Sequence, residues 1–272
     1  MRTFFSRMLS ACLLALALHP SSVCLGAAAQ DVAARCRTLT YSTNPNYPPY
    51  DWATGEDAFD GASIELLTMA APPGVALRPI VLPWVRAQAQ TKAGEIDLLV
   101  SLRITSERAR YLVFTSHRAF PNPIVVFVRK DRVFPFQSLA DLKDKRGGIS
   151  SGDTFGGGFD EYWPRELNIE EAPDMENNFK KLDAGRIDYF VTSRYVGEAY
   201  AASHPSRHGI VSLSLPVSEQ DIHFGFSRSS PCVGMVEEMG RRLKELDSKG
   251  IPEQLLRKHL RRIQEHAVMM PR

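Results

Sequence analysis

Ala93-Gly94-Glu95-Ile96-Asp97-Leu98-Leu99-Val100-Ser101-Leu102-Arg103-Ile104-Thr105-Ser106-Glu107-Arg108 joins a helix stop, a buried strand and a group of anion donors in one short stretch. Ala93-Gly94 punctuates the helix, and the apolar run 96–100 reads as a strand buried on both faces. Thr105-Ser106-Glu107-Arg108 follows, where a Thr cap and a Glu in the first turn predict a short helix. Hydroxyls, first-turn N–H groups and a guanidinium therefore collect at the carboxyl end of a strand. In open α/β sheets ligands sit at that end. A guanidinium fork and a helix N-terminus are the donors a carboxylate or other small anion needs. The bland alternative makes Arg108 a solvated helix arginine.

The same unit returns further along. Ala184-Gly185-Arg186-Ile187-Asp188-Tyr189-Phe190-Val191 repeats the helix stop, acidic turn and buried strand, and ends in Thr192-Ser193-Arg194. Two such units predict an α/β chain of two similar lobes, each a mixed sheet flanked by helices, facing one another across a cleft. Residues 119–123 contain two prolines and precede the buried strand Ile124-Val125-Val126-Phe127-Val128, so the first crossing between lobes is placed there. Residues 213–222, with Pro216, read as the return crossing. Lobe 1 is then discontinuous, residues 30–121 and 222–272, and lobe 2 is residues 122–221.

Between these landmarks the periodicity predicts strands over 39–43, 75–82, 110–115, 147–150 and 223–227, and helices over 61–71, 83–92, 233–246 and 252–263. A capped turn is expected at Ser138-Leu139-Ala140-Asp141-Leu142. Asn44-Pro45-Asn46-Tyr47-Pro48-Pro49-Tyr50-Asp51-Trp52 is too rich in proline for regular structure and reads as a rigid aromatic loop. It would serve equally as a pocket wall or as a lid over the core. Ser151-Gly152-Asp153-Thr154-Phe155-Gly156-Gly157-Gly158 lacks the Gly-Lys-Ser/Thr ending of a P-loop and the spacing of a dinucleotide fingerprint. Its small residues and Thr154, ahead of a helix, suit an anion clamp instead.

Composition narrows the partners. Arg2 and Arg7 precede a short apolar segment, residues 9–18, and Ala27-Ala28-Ala29 offers a cleavage site, so residues 1–29 read as a secretory signal. The apolar core runs past Cys12, which argues against lipidation. Removing 1–29 takes away two of the 33 Lys and Arg and none of the 31 Asp and Glu, leaving a net charge near zero. Nucleic acid and an anionic membrane are thereby disfavoured as partners. The basic residues between Arg241 and Arg262 alternate with acids, as on a solvated helix face. No later segment approaches the ~20 apolar residues of a membrane span. Cys36 and Cys232 remain in an oxidising compartment and either pair as a disulfide or stay as two separate buried thiols. The histidines are scattered without metal-ligand spacing.

Taken in order, these motifs resemble family 3 of the periplasmic solute-binding proteins, the polar amino-acid receptors of ABC importers. The resemblance covers nearly all of the chain after the signal. Tyr47-Pro48-Pro49-Tyr50 is similar to the family's opening aromatic loop, and Trp84 matches an aromatic that stacks on ligand. Thr105-Ser106-Glu107-Arg108 matches the segment whose arginine clamps the ligand carboxylate. Ser138-Leu139-Ala140-Asp141-Leu142-Lys143-Asp144-Lys145 looks like a family turn, and Gly152-Asp153-Thr154 stands where a loop donates to the same carboxylate. The resemblance implies a type II periplasmic-binding-protein fold and a monomer in the periplasm that needs no cofactor or metal. It also implies a ligand set of Asn44, Tyr47, Tyr50, Trp84, Ser101, Arg103, Arg108, Thr154, Phe155 and Ser193.

Three positions depart from the pattern. Ser193 stands where amino-acid receptors carry an aspartate for the ligand ammonium, and a neutral residue removes the partner a buried ammonium requires. The segment from Asp97 to Thr105 is one residue short, which leaves Ser101 open as a ligand contact. Arg103 replaces a small hydroxyl residue; facing the cleft it favours a more anionic ligand, and facing solvent it changes nothing. The expected function is binding of a small carboxylate-bearing solute for an ABC permease. Two alternatives stay open: sensing for a membrane receptor, and a dehydratase similar to cyclohexadienyl dehydratase with Asp51, Glu65, Asp153 or His223 as general acid.

Overall fold

The computed structural model describes residues 36–204 and 209–269. The expected signal, residues 1–29, lies outside them. In chain order the first part is β1 (Thr38–Ser42), β2 (Asn46–Tyr47), β3 (Asp51–Ala53), β4 (Phe59–Asp60), α1 (Ala62–Ala70), β5 (Ala76–Pro79), α2 (Trp84–Ala93), β6 (Leu98–Leu102) and β7 (Leu112–Phe114). The second part is β8 (Pro123–Arg129), β9 (Arg146–Ser150), α3 (Phe159–Glu166), β10 (Asn168–Ala172), α4 (Met175–Asp183), β11 (Tyr189–Ser193), α5 (Arg194–Ser203), β12 (Ile210–Ser212) and β13 (Ser218–Glu219). The chain returns as β14 (His223–Ser227), α6 (Val236–Ser248) and α7 (Ile251–Met269).

These strands form two mixed sheets. The first runs β5-β1-β6-β14-β7, with β1 parallel to β5 and β6, and β14 antiparallel to both its neighbours. The second runs β10-β9-β11-β8-β12, with β9 parallel to β10 and β11, β8 antiparallel to β11, and β13 added against β8. Helices flank each sheet, so β6, β8 and β11 are covered on both faces and read as continuous apolar runs instead of alternating ones. The result is two sheet-based lobes. Sheet membership switches between β7 and β8 and again between β13 and β14. The two crossing strands lie side by side, with Ala119 N–H donating to Ile222 O at 2.8 Å and Ile222 N–H to Phe120 O at 3.1 Å.

The repeat has a structural counterpart. Gly94 and Gly185 both take the left-handed conformation, at φ 83° and 66°, which only glycine adopts without strain. Each is followed by an aspartate that caps the neighbouring parallel strand. Asp97 Oδ2 accepts from Thr40 N–H of β1 at 2.9 Å, and Asp188 Oδ2 from Arg146 N–H of β9 at 2.9 Å.

Four features differ from expectation. The proline-rich aromatic stretch folds as an antiparallel meander, β2-β3-β4, in which Trp52 pairs with Asn46 and Asp60. Its register spares the prolines from donating. The predicted helix at Thr105 shrinks to one turn followed by a 3₁₀ segment, Arg108–Arg110, because the chain re-enters the sheet as β7 at Leu112. The strands β10, β12 and β13 are additions to the expected set, too short or too polar to carry a strand signal. Finally, α7 packs on both α1 and the lobe 2 helix α5, so the C-terminal segment touches both lobes. Cys36 and Cys232 are joined with Cα atoms 5.2 Å apart, fastening the start of β1 to the turn before α6.

Candidate ligand cleft

The carboxyl ends of two interior strands, one in each sheet, fix where the candidate donors emerge. Arg103 and Arg108 lie on the loop that leaves the carboxyl end of β6, and Thr154 on the loop that leaves the carboxyl end of β9. Arg103 Nη1 donates to the Thr154 carbonyl oxygen, so the two strand ends face one another and the loops meet across the gap. Arg108 turns back on the same loop: its Nη1 donates to Arg103 O at 3.0 Å, and its guanidinium carbon is 5.7 Å from the centroid of the Trp84 ring. That distance is a cation–π contact. Burial lowers the Arg108 pKa, Tyr111 opposes the effect, and the like charge of Arg103 adds to it. The group stays cationic at neutral pH all the same. Neither Arg103 nor Arg108 is in an ion pair with a carboxylate among the described residues.

A second junction sits deeper. The Tyr47 and Tyr50 rings stack at 5.3 Å, and Tyr50, fully buried, sends its hydroxyl to Pro121 O at 3.0 Å and Asn122 Oδ1 at 3.3 Å. Ser193 Oγ, at the end of β11, donates to the same Asn122 Oδ1 at 2.5 Å. The Ser193 hydroxyl also lies against the phenols of Tyr47 and Tyr50. Asn122 is thus a buried hub on the crossing strand, and its Nδ2 has no hydrogen-bond partner among the described residues.

Beneath Tyr47 lies a buried carboxyl. Asp51 Oδ2 accepts from Thr43 Oγ1 at 2.7 Å. The hydroxyls of Ser63 and Ser101, bonded to each other at 2.5 Å, crowd against it. Desolvation lifts the Asp51 pKa to about 8, and the hydroxyls of Ser101, Thr43 and Ser63 only partly offset that. Asp51 therefore carries a proton through most of the neutral range. Ser101 reaches this cluster at φ 60°, the left-handed region a serine rarely adopts.

The expected ligand set is thus distributed over several roles. Arg103, Arg108, Trp84 and Thr154 converge where the loops meet, and Tyr47 and Ser193 at the deeper junction. Ser101 faces the Asp51 cluster. Tyr50 is a buried strut whose hydroxyl is spent on the crossing strand. Phe155, expected to face the ligand, has its ring packed edge-on to Phe159 in the lobe 2 core, 2 % exposed. Asn44 closes a local turn by accepting from Asn46 N–H at 3.0 Å. The anion clamp expected at the start of α3 is occupied by the protein itself: Asp160 accepts from Phe155 N–H at 3.0 Å and Gly156 N–H at 2.8 Å. An anion arriving there would meet a carboxylate.

Asn122 and Ser63 are site residues beyond the expected set, and Asp51 belongs to it only as a general-acid candidate. The legible signal was a polar residue between the two prolines of the crossing. Of the other acid candidates, Glu65 sits on α1, held by Lys258 at 2.7 Å and His259 at 2.8 Å. Its neighbour Asp60 pairs with Arg262 at 2.8 Å. Asp60, Glu65 and His259 do converge within 4.8 Å, a grouping the sequence spacing did not show, but those pairings take up the carboxylates. His223 Nδ1 contacts Thr115 O at 3.2 Å and its pKa is lowered by burial. Asp153 is exposed near Arg103. These groups do not come together as a catalytic pair. Among the described residues no helix is long and apolar enough to cross a membrane.

Comparison with known proteins agrees with this architecture. The family profile "Bacterial extracellular solute-binding proteins, family 3" matches residues 39–261. No curated protein sequence matches. Among solved structures, AbpA, an amino acid ABC transporter substrate-binding protein from Streptococcus pneumoniae bound to L-arginine, superposes with TM-score 0.63 at 18 % identity, covering 86 % of this chain and 98 % of its own. ArgBP from T. maritima, as the P235GK mutant, gives 0.60 at 21 %, covering 85 % and 98 %. The ancestral amino-acid-binding protein AncCDT-1, a precursor of cyclohexadienyl dehydratase, gives 0.63 at 21 %, covering 85 % and 98 %. At these identities the likeness is one of fold.

Proposed function

Because this chain belongs to the family 3 bacterial extracellular solute-binding proteins, we propose that it is a periplasmic receptor that closes around a small carboxylate-bearing solute and hands it to an ABC permease. One observation carries the reading. Arg108 has one guanidinium nitrogen anchored on Arg103 O and lies under Trp84 with no carboxylate partner, at the strand end where the lobes meet. A cation held this way, partly desolvated and unpaired, is stabilised by an anionic ligand. Closure would bend the paired crossing strands around residues 119–124 and 216–223, with lobes 30–121 plus 222–272 and 122–221 as the moving bodies. Trp84 and Tyr47 would cover the apolar part of the solute.

Calorimetric titration of the purified protein with a panel of small carboxylic acids tests this. Arg108→Ala is expected to weaken the best binder by about 2–5 kcal/mol, the usual effect of removing one side of a desolvated charge pair. Unchanged affinity in that variant would sink the proposal.

A second reading, a dehydratase on the same fold, draws support from Asp51, a carboxyl that keeps its proton at neutral pH and so has one to give. Incubation with prephenate or arogenate distinguishes the two: product formation lost in Asp51→Asn favours the enzyme, and stoichiometric binding without product favours the receptor.

A further inference from the structure

Two cations at the meeting point of the lobes are in no ion pair with a carboxylate among the described residues. Arg103 and Arg108 emerge from one loop, with Arg108 bonded to the Arg103 carbonyl oxygen at 3.0 Å, and the charge of Arg103 is close enough to act on Arg108. Arg103 reaches across to the Thr154 carbonyl of lobe 2, which places its charge between the lobes. Among the described residues its remaining nitrogens, and Nε and Nη2 of Arg108, make no protein hydrogen bond.

Of the nearby acids, Glu107 acts on Arg108 through its field and makes no ion pair with it among the described residues. Asp153 is exposed, acts on Arg103 through its field, and forms no ion pair with it. Asp51 is fully buried and turned to Thr43. On the lobe 2 side Ser193 is neutral and already engaged with Asn122. On the lobe 2 side the buried atom without a partner is a donor, Asn122 Nδ2; on the lobe 1 side, beneath Tyr47, it is Asp51 Oδ1. An ammonium placed at the two guanidiniums meets like charge; a carboxylate there meets the donors it needs.

We infer that the ligand of this cleft is a small dianion without an ammonium, a dicarboxylate with one carboxylate on Arg108 and the other on Arg103. The inference rests on the receptor reading above and adds the ligand class to it. Arg103 is then the specificity residue: it exchanges its bond to Thr154 O for the second carboxylate, and the second anion relieves the repulsion between the two guanidiniums.

The test is calorimetric titration of the full-length protein with succinate and glutarate, matched monocarboxylates (butyrate, valerate), and the same dicarboxylates bearing an ammonium (aspartate, glutamate). Circular dichroism checks that each variant is folded. The dicarboxylates are expected to bind at least about tenfold tighter than either matched series, the effect of one extra charge-assisted contact. Arg103→Gln is expected to bring dicarboxylate and monocarboxylate affinities within about threefold of each other, and Arg108→Gln to abolish binding of both. Aspartate or glutamate binding as tightly as succinate or glutarate overturns the inference, as does a dicarboxylate preference that survives Arg103→Gln. Both results leave the carboxylate receptor standing. Absence of binding by every acid overturns the inference and the receptor reading together.

Discussion

Asp51 turns a burial decision into a pH dependence. Its carboxyl keeps the proton up to about 8, whereas in the unfolded chain it releases it near 3.8. Between those values the native state holds more protons than the unfolded one, so stability falls as pH rises, and the loss levels off above about 8. The slope from one such group is at most about 1.4 kcal/mol per pH unit. Asp51→Asn keeps the shape and removes the titration. Urea midpoints measured from pH 5 to pH 8 are expected to fall steadily in the parent and to flatten in the variant (roughly the range where the two protonation states diverge). Parallel curves would mean that the carboxyl is ionised in the fold. The neighbouring Ser101, held at φ 60° with its hydroxyl on Ser63, belongs to the same device: a strained backbone that persists where its surroundings over-determine it.

At the scale of elements, the repeated turn makes a graded forecast. Asp97 is buried and accepts from Thr40 N–H at 2.9 Å, Thr40 Oγ1 at 2.6 Å and Ser230 Oγ at 2.6 Å. Asp188 caps its own neighbour strand in the same way but has a side chain 37 % exposed. Asp97→Ala is therefore expected to cost about 3 kcal/mol, since it strands several donors away from water. Asp188→Ala should cost no more than about 1 kcal/mol, because water can take over. Denaturation midpoints compare them, and equal losses would refute the grading by burial. This unit was also the most legible part of the sequence, because helix stop, acid and apolar strand are all local signals. The two sheet-based lobes and the place of Arg108 beyond a strand end were read from it. The meander β2-β3-β4 was hidden because strands of two or three residues carry no periodicity. Phe155 was misplaced because a glycine loop does not reveal which way its one aromatic turns. The spent donors of that loop could not be foreseen either, since Asp160 reads as an ordinary first-turn acid until its distance to Gly156 is known.

For the whole molecule, the link from Cys36 to Cys232 encloses 196 positions of chain separation, and all of lobe 2 lies inside that loop. Closing so long a loop in the unfolded chain is worth about 5 kcal/mol in the chain-entropy account. Reduction, or Cys36→Ser with Cys232→Ser, is expected to lower the unfolding midpoint by an amount of that order. A midpoint that does not move under reducing agent would show that strand pairing of β1 alone secures that end. The bond from Arg103 to Thr154 has a further consequence, this one in time. If Arg103 is the second anchor proposed above, it starts engaged with the opposite lobe, and capture has to wait for that contact to let go. In rapid mixing, the observed rate should therefore climb with solute concentration and then level off at the release rate of the latch. Arg103→Gln, having no latch to open, should give a line that keeps rising. A receptor built this way limits how fast it loads, whatever the abundance of what it collects.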